Sequence, residues 1–352
     1  MKATSLPVFY PFLRRKHLSI WPVFIPFAGC PHRCSFCSQN AQTGTPPRPL
    51  SKVLEQLDFE LAEALEKGRG PYELAFFGGT FTALPDQWPE RFLHLAAKYR
   101  EKGFISCVRC STRPDAVTAE NLARLKGLGL DMVELGIQSF DDAALEASGR
   151  GYAGNSARAA CKLVREAGLR LGVQLMPGLP GDVPGLFRRD VETAVALAPD
   201  CARLYPCVVM DGTPLAETWR NGDYSPWGLE HAKDELADAL LAFGQAEIPV
   251  IRMGLAPEAE MNASLLAGPW HPAFGQSVRA LALFRYLAPE IRGDHVIVAP
   301  SYLQGEIFGH ANELKRRYAA LGLGFRSIRF EDRDDFLFER GNLAVDPGAK
   351  IR

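Results

Sequence analysis

Six short apolar runs, at 23–27, 73–77, 105–110, 132–137, 169–176 and 202–209, alternate with amphipathic stretches at 51–66, 86–101, 118–128, 155–167 and 185–198. A further helical stretch, 229–246, follows the sixth run. The runs have strand length, and the stretches between them carry helical signals. From Ser51 onward apolar residues recur three and four apart, and the stretch from Thr118 opens on a capping hydroxyl and closes at Gly127. Six βα units in succession predict a parallel sheet with right-handed crossovers. Six are fewer than the eight of a closed barrel, so the expected α/β fold is an open, partial (βα)6 barrel. Chemistry in such folds gathers at the C-terminal ends of the strands, where the βα loops begin.

The alternation fades near Pro249. The expected division is a barrel over 1–250, with its core at about 20–230, and a mostly helical C-terminal extension over 251–352. That extension carries one strand-like run, 295–299, and is expected to pack on the barrel, with capping of the substrate as a candidate role. The net charge of -1 gives no overall basic field to attract nucleic acid or an acidic membrane. Apolar runs stop well short of the ~20 residues that span a bilayer. Met1 to Thr4 lack the apolar core of a signal peptide, so a cytoplasmic location without membrane partners is expected.

Eight cysteines are spread along 352 residues, yet three of them, Cys30, Cys34 and Cys37, crowd into the loop after the first strand. In a reducing compartment such crowding favours metal binding over crosslinking. Spacings of three residues and then two let the thiolates wrap one face of a [4Fe-4S] cubane, which leaves one iron open to a small molecule. Two other readings stand beside this one. A structural zinc site would need a fourth ligand, for which His32 is the candidate, and an unligated group of thiols is the other.

Each later strand ends in a polar or Gly/Pro-rich break. The second ends in Gly78-Gly79-Thr80, the third in Ser111-Thr112-Arg113-Pro114-Asp115 and the fourth in Gln138-Ser139-Phe140. The fifth ends in Met176-Pro177-Gly178, with Pro180 and Gly181 following, and the sixth in Leu204-Tyr205-Pro206. One such break is a turn, whereas several at the same level line a pocket.

Cys-x3-Cys-x-aromatic-Cys after the first strand of a βα series resembles the radical S-adenosylmethionine (SAM) superfamily. The stretches 78–85, 112–115, 134–139, 150–152, 176–180 and 204–206, with Gly212 to Leu215, Trp219, Gly222 and Tyr224, look like the radical SAM half of the Elongator catalytic subunit. The resemblance covers about 20–230 and preserves order and spacing. It implies a [4Fe-4S] cluster on Cys30, Cys34 and Cys37, and SAM chelated at the open iron. It also implies one-electron cleavage of SAM and hydrogen abstraction from substrate by a 5′-deoxyadenosyl radical. Further implied are SAM contacts from Gly78, Gly79, Thr80, Gln138 and Ser139, an adenine contact from backbone around Phe36, and a low-potential electron donor such as flavodoxin or ferredoxin. The family often has Glu where this chain has Ser111, so that contact is not carried over.

The resemblance makes an RNA base the expected substrate, with a small metabolite or a tetrapyrrole as the alternative. A zinc-binding interaction module is the reading from another class. The ~100 residues after the barrel show no motif of a complete acetyl-CoA-binding domain, so carboxymethylation of tRNA uridine is not expected to transfer. The short basic cluster Arg14 to His17 reads as a solvated face, as does Lys315 to Arg317. Cys107 and Cys110 lie three apart in a strand and should face opposite ways, Cys161 reads as core, and Cys207 reads as buried packing, with a cavity position acting on a substrate radical as the alternative. The segment from Gly268 to Gly275, with Trp270 and His271, is either a loop closing over the barrel or a helix-connecting turn.

Overall fold

The computed structural model describes residues 4–8, 12, 18–31, 33–39, 46–255, 259–293, 295–324 and 327–340. His32 and the Arg14 to His17 cluster therefore lie outside the described residues. The chain opens with strand β1 (Thr4–Pro7) and strand β2 (Ser19–Phe24), followed by helix α1 (Leu50–Glu66). Regular alternation follows: β3 (Tyr72–Phe77), α2 (Trp88–Arg100), β4 (Ile105–Thr112), α3 (Ala119–Gly127) and β5 (Met132–Gln138). A short α4 (Asp142–Ala147) and α5 (Gly154–Glu166) then lead to β6 (Arg170–Leu175), α6 (Leu186–Ala196) and β7 (Cys201–Leu204). Thr118 caps α3 as its sequence suggests, accepting from the Asn121 amide while the Asn121 side chain accepts from the Thr118 amide.

The sixth apolar run is interrupted at Pro206: β7 stops at Leu204, and the two-residue β8 (Val209–Met210) leaves the barrel sheet. After α7 (Pro214–Arg220) and α8 (Leu229–Gln245), a further strand, β9 (Val250–Met253), returns to it. The sheet therefore holds seven parallel strands rather than six, in the order β2-β3-β4-β5-β6-β7-β9, curled into a half-barrel. With four residues, β9 carries too short an apolar run to stand out in sequence. Its pairing with β7, through Ala202 to Val250 and Leu204 to Met253, is what establishes it.

Beyond β9, strand β10 (Leu265–Ala267) pairs antiparallel with β8, and α9 (Phe274–Leu287) packs against α8. The C-terminal part also carries a sheet: β11 (His295–Pro300), β12 (Ile328–Glu331) and β13 (Asp335–Arg340) join β1 in the order β1-β13-β11-β12. Sequence patterning exposed only the first of these three, because β12 has four residues and β13, although its burial alternates, carries charges at three of its six positions. Phe336 and Phe338 are the buried half of that alternation. One continuous core joins the inner faces of the helices to the sheet, from Leu74 and Val133 through Leu171 and Ala202 to Leu236 and Leu283. Among the described residues, no helix is long and apolar enough to cross a membrane.

Candidate active site

The loop after β2 is held from several sides, so its three cysteines keep fixed positions. The Cys30 amide donates to the Phe27 carbonyl and the Cys37 amide to Cys34, each at 3.1 Å. Between them the Ser35 amide donates to the Ser148 carbonyl at 3.1 Å, and the Ser35 carbonyl accepts from the Leu215 amide at 2.9 Å. Phe36 is buried with Leu179, Cys207 and Leu215, a small apolar cluster that anchors the loop to the ends of β6 and β7. Cys207 is a packing member of that cluster, and burial pushes its thiol up to about 12.

The glycine turn after β3 serves this loop directly. Gly78 and Gly79 both adopt left-handed backbone, at φ 73° and 64°. A Cβ on Gly79 would lie 2.2 Å from the Ala28 carbonyl oxygen, so only glycine lets the two loops touch. The Gly79 amide donates at 3.0 Å to Gln39 Oε1, which also accepts from the Phe27 amide. Thr80 is fully buried, and its Oγ1 lies 3.3 Å from Cys30 Sγ.

Two arginines converge on the middle cysteine. Arg150 Nη1 donates to Cys34 Sγ at 3.0 Å, and Arg113 Nη1 reaches the same sulfur at 3.6 Å. Both side chains are about nineteen-twentieths buried: Arg113 is 4% and Arg150 5% exposed. Asp115 clamps Arg113 with two bonds of 2.9 and 2.8 Å, and Tyr152 accepts from Arg150 Nε at 3.0 Å. Burying two guanidinium groups against a sulfur is favourable when that sulfur carries negative charge. Burial, and next the neighbouring thiols, push Cys37 up to about 12, and burial also raises Cys30. Such thiols ionise when a metal takes their protons' place. Among the described residues, no three His, Cys, Asp or Glu side chains converge tightly enough for a single metal ion. A cubane asks for something else, one thiolate on each of three irons, and that suits a loop wrapped around a group larger than one ion.

Cys30, Cys34, Cys37, Phe36, Gly78, Gly79 and Gln138 border one cavity of about 900 Å³ on the inner side of the half-barrel. Residues 24–194 match the Radical SAM superfamily, and residues 199–282 match the Radical_SAM C-terminal domain. This chain belongs to the radical SAM superfamily. It is similar to a tRNA uridine(34) acetyltransferase of Methanocaldococcus infernus, with 28% identity over 66% of this chain and 52% of that protein. It is also similar to mouse Elongator complex protein 3, with 31% identity over 55% of this chain and 44% of the relative. The chain thus spans about half the length of the curated relatives it matches. The solved structure of the archaeal Methanocaldococcus infernus Elp3 with an N-terminal deletion shares the fold, at a TM-score of 0.56 and 20% identity over 78% of this chain and 64% of that one. The chain is accordingly an enzyme of the radical SAM type, whose cofactors are a [4Fe-4S] cluster and SAM.

In this radical SAM enzyme the residues expected at the cofactor divide into two groups. Gly78, Gly79, Phe36 and Gln138 border the cavity with the three cysteines, and Gln138 does so from left-handed backbone at φ 71°. Thr80 and Ser139 stand behind the cavity wall. Thr80 backs Cys30, while the Ser139 hydroxyl donates at 2.7 Å to Asp190 Oδ2. The segment from Gly268 to Gly275 lies away from the cavity, with Trp270 packed beside Val208, Met210 and Met261. Cys107 accepts from Arg170 at 2.7 Å, whereas Cys110 is fully buried, so the two share no site.

Sequence reading missed the charged interior of the barrel. Glu134, Gly136 and Gln138 on β5 border the cavity at every second position, as do Arg109, Ser111 and Arg113 along β4 and beyond its end. Arg109 and Arg203 flank Glu134, at 3.2 and 2.8 Å. The signal lay in single charges, Glu73, Arg109, Glu134 and Arg203, inside otherwise uncharged strands.

Proposed function

We propose that this enzyme cleaves SAM reductively and abstracts hydrogen from an RNA base held in the half-barrel cavity. The observation that carries the reading is that the cysteine triad, the Gly78-Gly79 turn and Gln138 border the same cavity at the C-terminal ends of the strands. When bound, the cluster and SAM supply a 5′-deoxyadenosyl radical. In this proposal Cys30, Cys34 and Cys37 hold the cluster, and Arg113 and Arg150 neutralise the thiolate of Cys34. Gly78, Gly79 and Gln138 meet SAM, and Phe36 lies beside its adenine. Thr80 and Ser139 act from behind, by holding Cys30 and the end of β5. The wall of the half-barrel excludes water from the reacting carbon.

An RNA base is supported by the relatives, which are tRNA uridine(34) acetyltransferases and Elongator complex proteins. A low-potential flavodoxin or ferredoxin is the proposed reductant. The eight free cysteines suit a reducing compartment, and we assign the enzyme to the cytoplasm. Anaerobic reconstitution with iron and sulfide tests the reading. The expected result is [4Fe-4S] absorbance together with dithionite-dependent 5′-deoxyadenosine, both lost in Cys34→Ala while the far-ultraviolet circular dichroism stays that of the folded chain. A colourless protein that retains stoichiometric zinc, or SAM cleavage retained in Cys34→Ala, would overturn it. Comparing modified nucleosides between a deletion strain and its parent tests the RNA assignment, and unchanged RNA with an altered metabolite pool would reject it.

A further inference from the structure

The cavity is also lined by an arginine pair on neighbouring strands. Arg203 on β7 and Arg252 on β9 are register partners, and both border the cavity. They face each other because the register shifts between Ala202 and Arg203: Ala202 pairs with Val250, and Arg203 with Arg252 rather than Ile251. One extra residue in β9 turns Arg252 to the same side as Arg203. Bulges of this kind re-aim side chains and recur beside active sites. Like charges placed directly opposite each other destabilise a sheet. The bulge therefore produces an unfavourable pair that regular pairing would have avoided.

The neighbouring charges do not cancel the pair. Glu134 is 3% exposed and lies 2.8 Å from Arg203 Nε, but it also serves Arg109 at 3.2 Å. Glu73 lies 3.6 Å from Arg109 Nε. Three guanidinium groups at this level (Arg109, Arg203, Arg252) against two carboxylates (Glu73, Glu134) leave one positive charge. Arg109 is 3% exposed, and its Nη2 has no hydrogen-bond partner among the described residues. Arg203 stacks over the Phe77 ring at 4.5 Å and reaches the Tyr205 hydroxyl at 3.4 Å, so its guanidinium is held flat in the wall. In register, Arg203 and Arg252 stand level with Gln174 and Gly136, one step along the strands from Gln138. Of the other cavity arginines, Arg113 and Arg150 sit at Cys34, Arg279 pairs with Glu306 at 2.7 Å, and Arg33 lies over the Phe27 ring at 4.3 Å.

We propose that Arg203 and Arg252, with Arg109 behind them, bind a singly charged oxyanion of the substrate, a carboxylate or a phosphodiester, and so orient the substrate in the cavity. The proposal rests on the cavity being the reaction chamber. A planar guanidinium matches both oxyanions through paired N–H donors, and one bound negative charge balances the excess. The β9 bulge is thus a specificity device. It supplies the second guanidinium only when Arg252 falls opposite Arg203.

The test is calorimetric titration of the reconstituted holoenzyme, saturated with SAM, at constant ionic strength, with dimethyl phosphate and separately with propionate as probes. One probe should bind at one site per chain, and its affinity should fall about tenfold or more in Arg252→Gln, which removes an exposed side chain at little risk to folding. Arg252→Lys should recover part of the loss. Preference for dimethyl phosphate identifies a phosphodiester-bearing substrate, and preference for propionate a carboxylate; either supports the site. No saturable binding of either probe, or equal binding in Arg252→Gln, overturns it. 5′-Deoxyadenosine formation measured on the same preparation separates the two readings. SAM cleavage without anion binding sinks only the anion site, and anion binding without SAM cleavage sinks only the proposed reaction.

Discussion

Arg150→Met should lower the reduction potential of the reconstituted cluster. Arg150 donates to Cys34 Sγ at 3.0 Å and is buried, so its charge is poorly screened there. Reduction adds one electron spread over the cluster, and a guanidinium at about 6 Å favours that electron by about 3 kcal/mol at an effective dielectric of 20. For a one-electron couple this corresponds to roughly 130 mV, and partial compensation by Arg113 brings the expected shift to about 100 mV in the negative direction. The assay is an anaerobic redox titration followed by electron paramagnetic resonance without SAM, after iron and sulfide contents have been matched to wild type. Arg150→Lys keeps the charge and should recover more than half of the shift. The same substitution leaves the Gly136 carbonyl and the Tyr152 hydroxyl without their Arg150 donors, so thermal stability falls too. A fully loaded Arg150→Met protein with a midpoint within about 20 mV of wild type would refute the electrostatic role.

Gly79→Ala should lose most of its iron on reconstitution and unfold at lower temperature, because its Cβ would collide with the Ala28 and Ile25 carbonyls at 2.2 and 2.7 Å. Gly103→Ala is the control: it has the same backbone sign, φ 70°, with open space around it, so it carries the conformational cost alone, about 1 kcal/mol or slightly more. Equal iron content in the two variants counts against the close approach. Asp190 reports on the end of β5. Burial raises its carboxyl to about 6 even though Ser139 and the Phe140 amide donate to it. A raised folded-state value means that its contribution is complete below the unfolded value near pH 4 and is lost as pH rises through about 6, up to about 3 kcal/mol in all. Denaturant unfolding of wild type relative to Asp190→Asn should therefore show an advantage that shrinks from about pH 4 to about pH 7; a pH-independent difference would contradict it.

Much of the architecture was legible because the βα pattern is periodic. Helix α1 reads from Ser51 onward, α3 announces its cap at Thr118, and four of the six apolar runs match barrel strands closely, while the first shares only Val23 and Phe24 with β2. Pro206 ends β7 early, β9 and β12 are too short at four residues for their period to rise above local composition, and β13 carries charges at three of its six positions. Such strands form because a partner edge is waiting for them, and that information lies far away in the chain. At the site, cysteine spacing was legible because it is local to one loop. The hold of Arg113 and Arg150 on Cys34 was not, since it spans 79 and 116 positions.

By itself, the sequence determined the radical SAM signature and the order of the strands whose C-terminal ends carry it, since both follow from short-range spacing and periodicity. Tertiary structure decided what those strands enclose. The seventh strand widens the half-barrel, and its bulge sets Arg252 against Arg203. Pleating turns the single charges on β4, β5 and β7 inward, and Thr80 and Ser139 stand behind the cavity because neighbouring side chains claim their hydroxyls. Side-chain direction and charge balance depend on register between distant segments, and register is fixed only when the sheet closes on its core.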